Sequence, residues 1–189
     1  MHIGLYFGSF NPIHTGHLII ANHVLENTDV DKLWFVLSPH NPLKESQSLL
    51  NEYDRLHLLE LAISDNPKFR ASNVEFGLPK PSYTIDTLTY LKEKFPFEQF
   101  SVVMGGDSFQ NIKRWKNYEQ LIEQHPLIVY RRPGFDVPDL SGASVSFLDA
   151  PMLDISASFI RGEIKAKRSV RYLLPDPVWK YISENRQYL

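Results

Sequence analysis

The stretch GSFNPIHTGH, residues 8 to 17, places two glycines, a proline and two histidines directly after a hydrophobic segment. Gly8 and Gly16 lack a Cβ, so backbone there can approach a ligand or a neighbouring element, and Pro12 stiffens the loop between them. His14 and His17 stand three apart in the opening turn of an expected helix, which points both imidazoles the same way. A helix N-terminus carries unpaired amide donors and a partial positive charge, so two imidazoles beside it make a phosphate site. The pair could instead be metal ligands, although the chain has no cysteine and no obvious third ligand nearby, and either ring alone could be a satisfied structural histidine. The stretch is neither the GxxxxGK P-loop nor the GxGxxG dinucleotide fingerprint, so a different phosphate chemistry is implied.

A second constellation is ISASFIRGEIK, residues 155 to 165. Ser156 and Ser158 fall at an expected helix start, where hydroxyls and free amides bond phosphate oxygens, and Arg161 follows over the same helix end. Serine before a helix is ordinarily just an N-cap. Arg161, Lys165, Lys167, Arg168 and Arg171 also cluster against the single acid Glu163, which reads either as a solvated face or as local anion handling.

These groups need a scaffold, and the rest of the chain supplies one. Short β-branched and aromatic runs at 2–7, 33–37, 100–104, 127–130 and 144–148 read as strands. Between them lie helical patterns at 16–27, 51–64, 84–95 and 107–123, the second with Tyr53, Leu56, Leu59 and Ile63 on one stripe. The chain turns helical again from Ser156, and PDPVWKYISENRQYL reads as a last amphipathic helix. Strands alternating with helices imply an α/β fold, a doubly wound, mostly parallel sheet covered on both faces, with a C-terminal helical segment. Pro-rich loops at 39–42 and 79–81 read as ordered loops over a crevice. No repeat or linker interrupts residues 1–189, which read as a single domain. The 189 residues are 43% hydrophobic and 22% charged, an ordinary globular composition with a net charge of -2, which excludes whole-molecule attraction to nucleic acid or an anionic membrane. The lack of cysteine, of a leader-like start and of any long apolar run makes cytoplasmic the expected location.

Taken together, the motifs resemble the nucleotidyltransferase superfamily with HxGH and ISSTxxR signatures, and within it the bacterial nicotinate-nucleotide adenylyltransferases. The likeness runs the length of the chain: GSFNPIHTGHL, SPHNPLK, PSYTIDTL, VVMGGDSFQNIKRW, RRPG, ISASFIR and SVRYLLPDPVWKYI, in that order. The family commonly has Asp where Asn11 stands, a histidine at Leu43, ISST where Ala157 and Ser158 stand, and a glycine at Lys167.

The resemblance implies a Rossmann-like fold and transfer of AMP from ATP to nicotinate mononucleotide, giving the deamido dinucleotide and pyrophosphate, with Mg²⁺ accompanying ATP. It implies catalytic roles for His14, His17 and Arg161, with His17 on the α-phosphate. To ATP it assigns Gly8, Ser9, Phe10, Gly16, Lys44, Gly105, Asp107, Ile155, Ser156 and Ser158, with Asp107 on the ribose. To the pyridine mononucleotide it assigns Thr84, Trp115 and Lys116, with the indole stacked on the base, and it assigns no residue to a protein-held metal. Expected partners are ATP and the pyridine mononucleotide, with no nucleic acid and no membrane, and a homo-oligomer is left open. Amide or phosphopantetheine acceptors, or a non-catalytic adenylate-binding regulator, are the alternatives.

Overall fold

Apolar runs too short for helices, and rich in branched and aromatic side chains, form the strands. The computed structural model describes residues 1–39, 49–131, 142–149, 151 and 153–189. Strands β1 (His2–Gly8), β2 (Lys32–Leu37), β3 (Phe69–Ser72), β4 (Gln99–Gly105), β5 (Leu127–Tyr130) and β6 (Val145–Leu148) make one sheet in the order β3-β2-β1-β4-β5-β6. All five pairings are parallel, with Tyr6 opposite Phe35 on one side and Val103 on the other. Strand order reverses about β1, so a crevice opens beyond the carboxyl ends of β1 and β4, the position where such sheets take ligands.

Successive side chains of a strand point to opposite faces, and the core divides accordingly. Tyr6, Leu33, Phe35 and Leu37 face helices α1 (Thr15–Asn27), α2 (Glu52–Ile63), α6 (Ala157–Lys165) and α7 (Asp176–Glu184) through Ile20, Val24, Leu58, Leu59, Ile160, Val178 and Ile182. Ile3, Leu5, Trp34 and Val36 face α3 (Thr84–Lys94), α4 (Gly106–Gln110) and α5 (Tyr118–Gln124) through Ile85, Leu88, Leu91, Phe109 and Leu121. The expected doubly wound sheet is borne out.

Three expectations change. The strand β3 was not anticipated, because FRAS buries only Ser72 and has no apolar run; it is an edge strand, held partly by the Arg70 guanidinium 4.3 Å above the Trp34 ring. The expected helix over 107–123 is broken: α4 ends at Gln110, a 3₁₀ turn covers Ile112–Arg114, and α5 restarts after Asn117, whose φ of 50° is left-handed, a conformation asparagine tolerates. The stripe of α2 is rotated, since Arg55, Leu58, Leu59, Ala62 and Ile63 are buried whereas Tyr53 is 65% exposed. Apolar periodicity discounts an arginine, and here the arginine belongs to the inward face. The loop 39–42 lies outside the described residues from position 40 onward.

Candidate active site

The loop leaving β1 is shaped by aromatic packing. Phe10 is buried, with its ring 5.9 Å from Tyr6, 5.6 Å from Phe35 and 5.2 Å from His17, all edge-on. A Cβ at Gly8 would come within 2.8 Å of that ring, so the glycine serves a neighbouring side chain of its own loop. Phe10 takes φ 42°, a left-handed conformation that costs an aromatic residue roughly 1–2 kcal/mol and persists only where its surroundings enforce it.

His14 is the N-cap of α1 and His17 is its third residue. The rings lie 3.7 Å apart, tilted by 30°, so the pair does point the same way. The backbone N–H of His14 donates to Nδ1 of His17 at 3.2 Å, satisfying a helix-terminal donor. An Nδ1 that accepts carries no proton, so the neutral His17 ring has its proton on Nε2. The loop thus fixes the tautomer as well as the orientation. A Cβ at Gly16 would lie 3.1 Å from Nδ1 of His14, so glycine leaves that ring its room.

Arg161 joins the two sequence constellations. From α6 its Nη1 donates to the carbonyl of Asn11 at 2.7 Å and its Nη2 to Oγ of Ser158 at 3.2 Å. Ser156 caps α6, accepting the Phe159 N–H at 3.1 Å, and Ile155 packs half-buried on the core. Two helix N-termini, α1 and α6, therefore meet over one loop. Of the basic cluster only Arg161 enters this region: Arg168 forms a twofold pair with Glu163, and Arg171 stacks 4.9 Å over Trp179. Lys165 and Lys167 are exposed.

Sequence reasoning missed Arg55, the largest fully buried side chain among the described residues. It donates to four carbonyls, those of Ser9 at 2.7 Å, Pro39 at 2.8 Å, Ser38 at 2.9 Å and Leu50 at 3.0 Å, clamping the β1–α1 loop to both ends of the β2–α2 connection at the head of the sheet. Burial lowers its pKa from the ordinary arginine range, with Tyr188 and Glu52 acting the other way. The signal was its spacing, since Arg55 precedes Leu58, Leu59 and Ala62 on a helical stripe.

Across the crevice, β4 ends at Gly105 and Asp107 opens α4. A Cβ at Gly105 would meet both Oδ1 of Asp107 and the ring of Tyr130, and Tyr130 reaches Tyr6 by a hydroxyl contact of 3.3 Å. Tyr6 in turn packs edge-on against His17, linking the β4 side to the histidines. Thr84 is the first residue of α3, partly exposed, and Trp115 is half-buried against the cluster on that face. Lys116 Nζ pairs with Asp86 at 2.8 Å and lies 4.9 Å over the Tyr83 ring, so it ties the Trp115 segment to the start of α3. Beneath, buried Glu75 accepts from Ser82 at 2.8 Å and Thr87 at 2.9 Å, a link with no sequence signal. Its pKa is raised by desolvation, which outweighs the hydroxyl bonds from Ser82, Thr87 and Ser38.

Lys44 and Leu43 lie outside the described residues. Among the described residues no three His, Cys, Asp or Glu side chains converge as metal ligands.

The cytidylyltransferase-like family matches residues 5–163. The chain is 49% identical over 191 residues to the probable nicotinate-nucleotide adenylyltransferase of Flavobacterium psychrophilum, covering 100% of this chain and 99% of the relative. It is 49% identical over 189 residues to that of Cytophaga hutchinsonii, covering 100% and 98%. Among solved structures it is similar to the Plasmodium falciparum nicotinic acid mononucleotide adenylyltransferase complexed with NaAD, with a TM-score of 0.83 at 21% identity over 99% of this chain and 97% of that one. At that identity the structural likeness speaks for the fold, while the full-length sequence relatives speak for kinship. The chain belongs to the cytidylyltransferase-like family and to its nicotinate-nucleotide adenylyltransferase members.

Proposed function

We propose that this nucleotidyltransferase moves the adenylyl group of ATP onto the phosphate of nicotinate mononucleotide, producing nicotinate adenine dinucleotide and pyrophosphate in NAD synthesis. The observation that carries it is the bond from Arg161 to the Asn11 carbonyl, which sets the N-termini of α1 and α6, one with two histidines and one with two serines, over a single loop. That is a cradle for a polyphosphate rather than for one phosphate.

An oxygen of the mononucleotide phosphate attacks the α-phosphorus of ATP, a P–O bond forms in line with the breaking bond to the β-phosphate, and the electron pair leaves with pyrophosphate. The nucleophile is a phosphate monoester, already anionic at neutral pH, so no general base has to create it. The work is positioning and charge stabilisation. His17 donates its Nε2 proton to an α-phosphate oxygen as charge gathers there, and His14 serves the phosphates beside it. Arg161, Ser156 and Ser158 hold the β- and γ-phosphates, and Lys44 adds a further charge. Mg²⁺ arrives with ATP as part of the substrate, bound mainly by phosphate oxygens.

Asp107 takes the ribose hydroxyls, while Gly8, Ser9, Phe10, Gly16, Gly105 and Ile155 form the wall against ATP. Trp115 stacks on the pyridine. Thr84 and the amide of Lys116 read its carboxylate, the ammonium of Lys116 being engaged by Asp86. Residues 1–189 act as one domain in this reading, in the cytoplasm. No helix among the described residues is long and apolar enough to cross a membrane.

The test is pyrophosphate release with ATP and Mg²⁺, comparing nicotinate mononucleotide, nicotinamide mononucleotide and phosphopantetheine. Strong preference for the first is expected. Preference for another would overturn the acceptor assignment, and no release with any would overturn catalysis.

A further inference from the structure

The β1–α1 loop is held in a backbone shape its own sequence disfavours, and the groups that hold it come from far along the chain. Next to left-handed Phe10, Asn11 is 4% exposed and acts as the anchor point. Its carbonyl takes Arg161, 150 residues away. Its side-chain Oδ1 takes the Leu50 N–H at 3.3 Å and the Tyr188 hydroxyl at 2.8 Å, the latter from 177 residues away.

Tyr188 reaches that position through an unusual backbone. Arg186 and Tyr188 both have positive φ, 50° and 66°, and the Gln187 N–H returns to the Ile182 carbonyl at 3.1 Å. Two left-handed residues in three fold the segment after α7 back on itself and turn the ring inward, leaving it 8% exposed. Such strain in non-glycine residues persists only where the surroundings fix it, and it concentrates at functional sites. Burial also raises the phenol well above its ordinary range, against the pull of Arg161 and Arg55, so it remains a donor at every working pH.

We propose that Tyr188 is a positioning residue for adenylyl transfer: its hydroxyl fixes Asn11, and through Asn11 the spacing between Arg161 and the His14–His17 pair. The inference rests on the function proposed above. Asn11 lies three residues before His14 and bonds Arg161 directly, so a shift in Asn11 moves both halves of the phosphate site relative to each other. A small misplacement of donors acts on the transition state, whereas Thr84 and Trp115 stand on the other face of the sheet and are untouched.

The experiment is a cycle of Tyr188→Phe, Asn11→Ala and the double variant, read as kcat and KM from pyrophosphate release with ATP and nicotinate mononucleotide, alongside melting temperature. Tyr188→Phe removes one oxygen and should lower kcat about 5- to 20-fold at a temperature well below its melt, with KM for the mononucleotide within about twofold. In the Asn11→Ala background the same change should cost less than about twofold, because its route is gone. Tyr172→Phe, at an exposed ring, should match the wild type. A Tyr188→Phe protein that melts earlier but keeps kcat overturns the proposal, as does full additivity with Asn11→Ala. A wild type inactive with this acceptor brings down the functional reading itself, an outcome that only the wild-type control can produce.

Discussion

The proposed mechanism gives His17 two jobs on two different ring nitrogens, and they can be separated. Nδ1 accepts the His14 N–H at 3.2 Å, and in that mechanism Nε2 donates to the α-phosphate. In His17→Asn the amide oxygen stands near the Nδ1 position but nothing reaches as far as Nε2. In His17→Gln the amide reaches the Nε2 position and nothing caps His14. Losing a cap costs about 1 kcal/mol, which for a chain of this size is a fall in Tm of about 2–4 °C. Losing a preorganised donor costs about 10²- to 10³-fold in kcat. His17→Asn should therefore melt near the wild type and lose two to three orders of magnitude in turnover, on the order of 3–4 kcal/mol of barrier. His17→Gln should melt lower by about those degrees and retain more turnover than His17→Asn. The assays are a thermal melt and pyrophosphate release at saturating nucleotides. If His17→Asn turns over within about tenfold of the wild type, or outpaces His17→Gln, the tautomer argument is refuted.

Other consequences are equally direct. Lys167 is left-handed, φ 57°, at the end of α6, where the Lys167 and Arg168 N–H groups return to Ile164 and Glu163 in a Schellman turn. Lys167→Gly should therefore raise stability by about 0.5–1 kcal/mol and Tm by about 1–4 °C, and an unchanged or lower melt counts against that reading. Glu75 has a raised folded-state pKa, so its stabilising contribution is full below about pH 4 and is lost as pH rises through the folded value. The Tm of Glu75→Gln relative to wild type should accordingly improve from about pH 4 to about pH 8; a flat difference would mean that the buried carboxylate titrates as in the unfolded chain. Trp115→Ala should raise KM for the mononucleotide about tenfold with kcat nearly unchanged, the cost of one lost stacking contact, and an unaltered KM returns the indole to a packing role.

The sheet was legible because its physics is local. Alternating strand and helix patterns fixed the doubly wound class, and HTGH and ISASFIR marked the two helix N-termini that Arg161 brings together. What stayed hidden depends on contacts between distant residues. FRAS is a strand only because β2 offers it an edge, and 107–123 breaks after Gln110 and restarts past Asn117 through a backbone angle that composition does not announce. Arg55 carries no apolar signal, yet four carbonyls from two connections draw it fully inside. Buried Glu75 and Tyr188 are of the same kind, since each has partners that only the folded chain supplies.

The charged residues around the candidate site sort by sign, and the sorting bears on substrate placement. Among the described residues, the bonds of Arg55 and Arg161 go to carbonyls and a hydroxyl, none to a carboxylate. Their charge is spent on shaping a loop without being neutralised by it. The carboxylates of Glu75 and Asp86 lie instead beside α3, bonded to hydroxyls and to Lys116. A unit cation roughly 7 Å from a phosphate charge is worth about 2 kcal/mol at an effective dielectric constant of about 20. In the proposed mechanism the two guanidiniums favour the triphosphate on the β1–α1 side, leaving the α3 side for the pyridine. Asn11 fits that layout. Its amide accepts the Tyr188 and Leu50 hydrogen bonds and adds no negative charge beside Arg161.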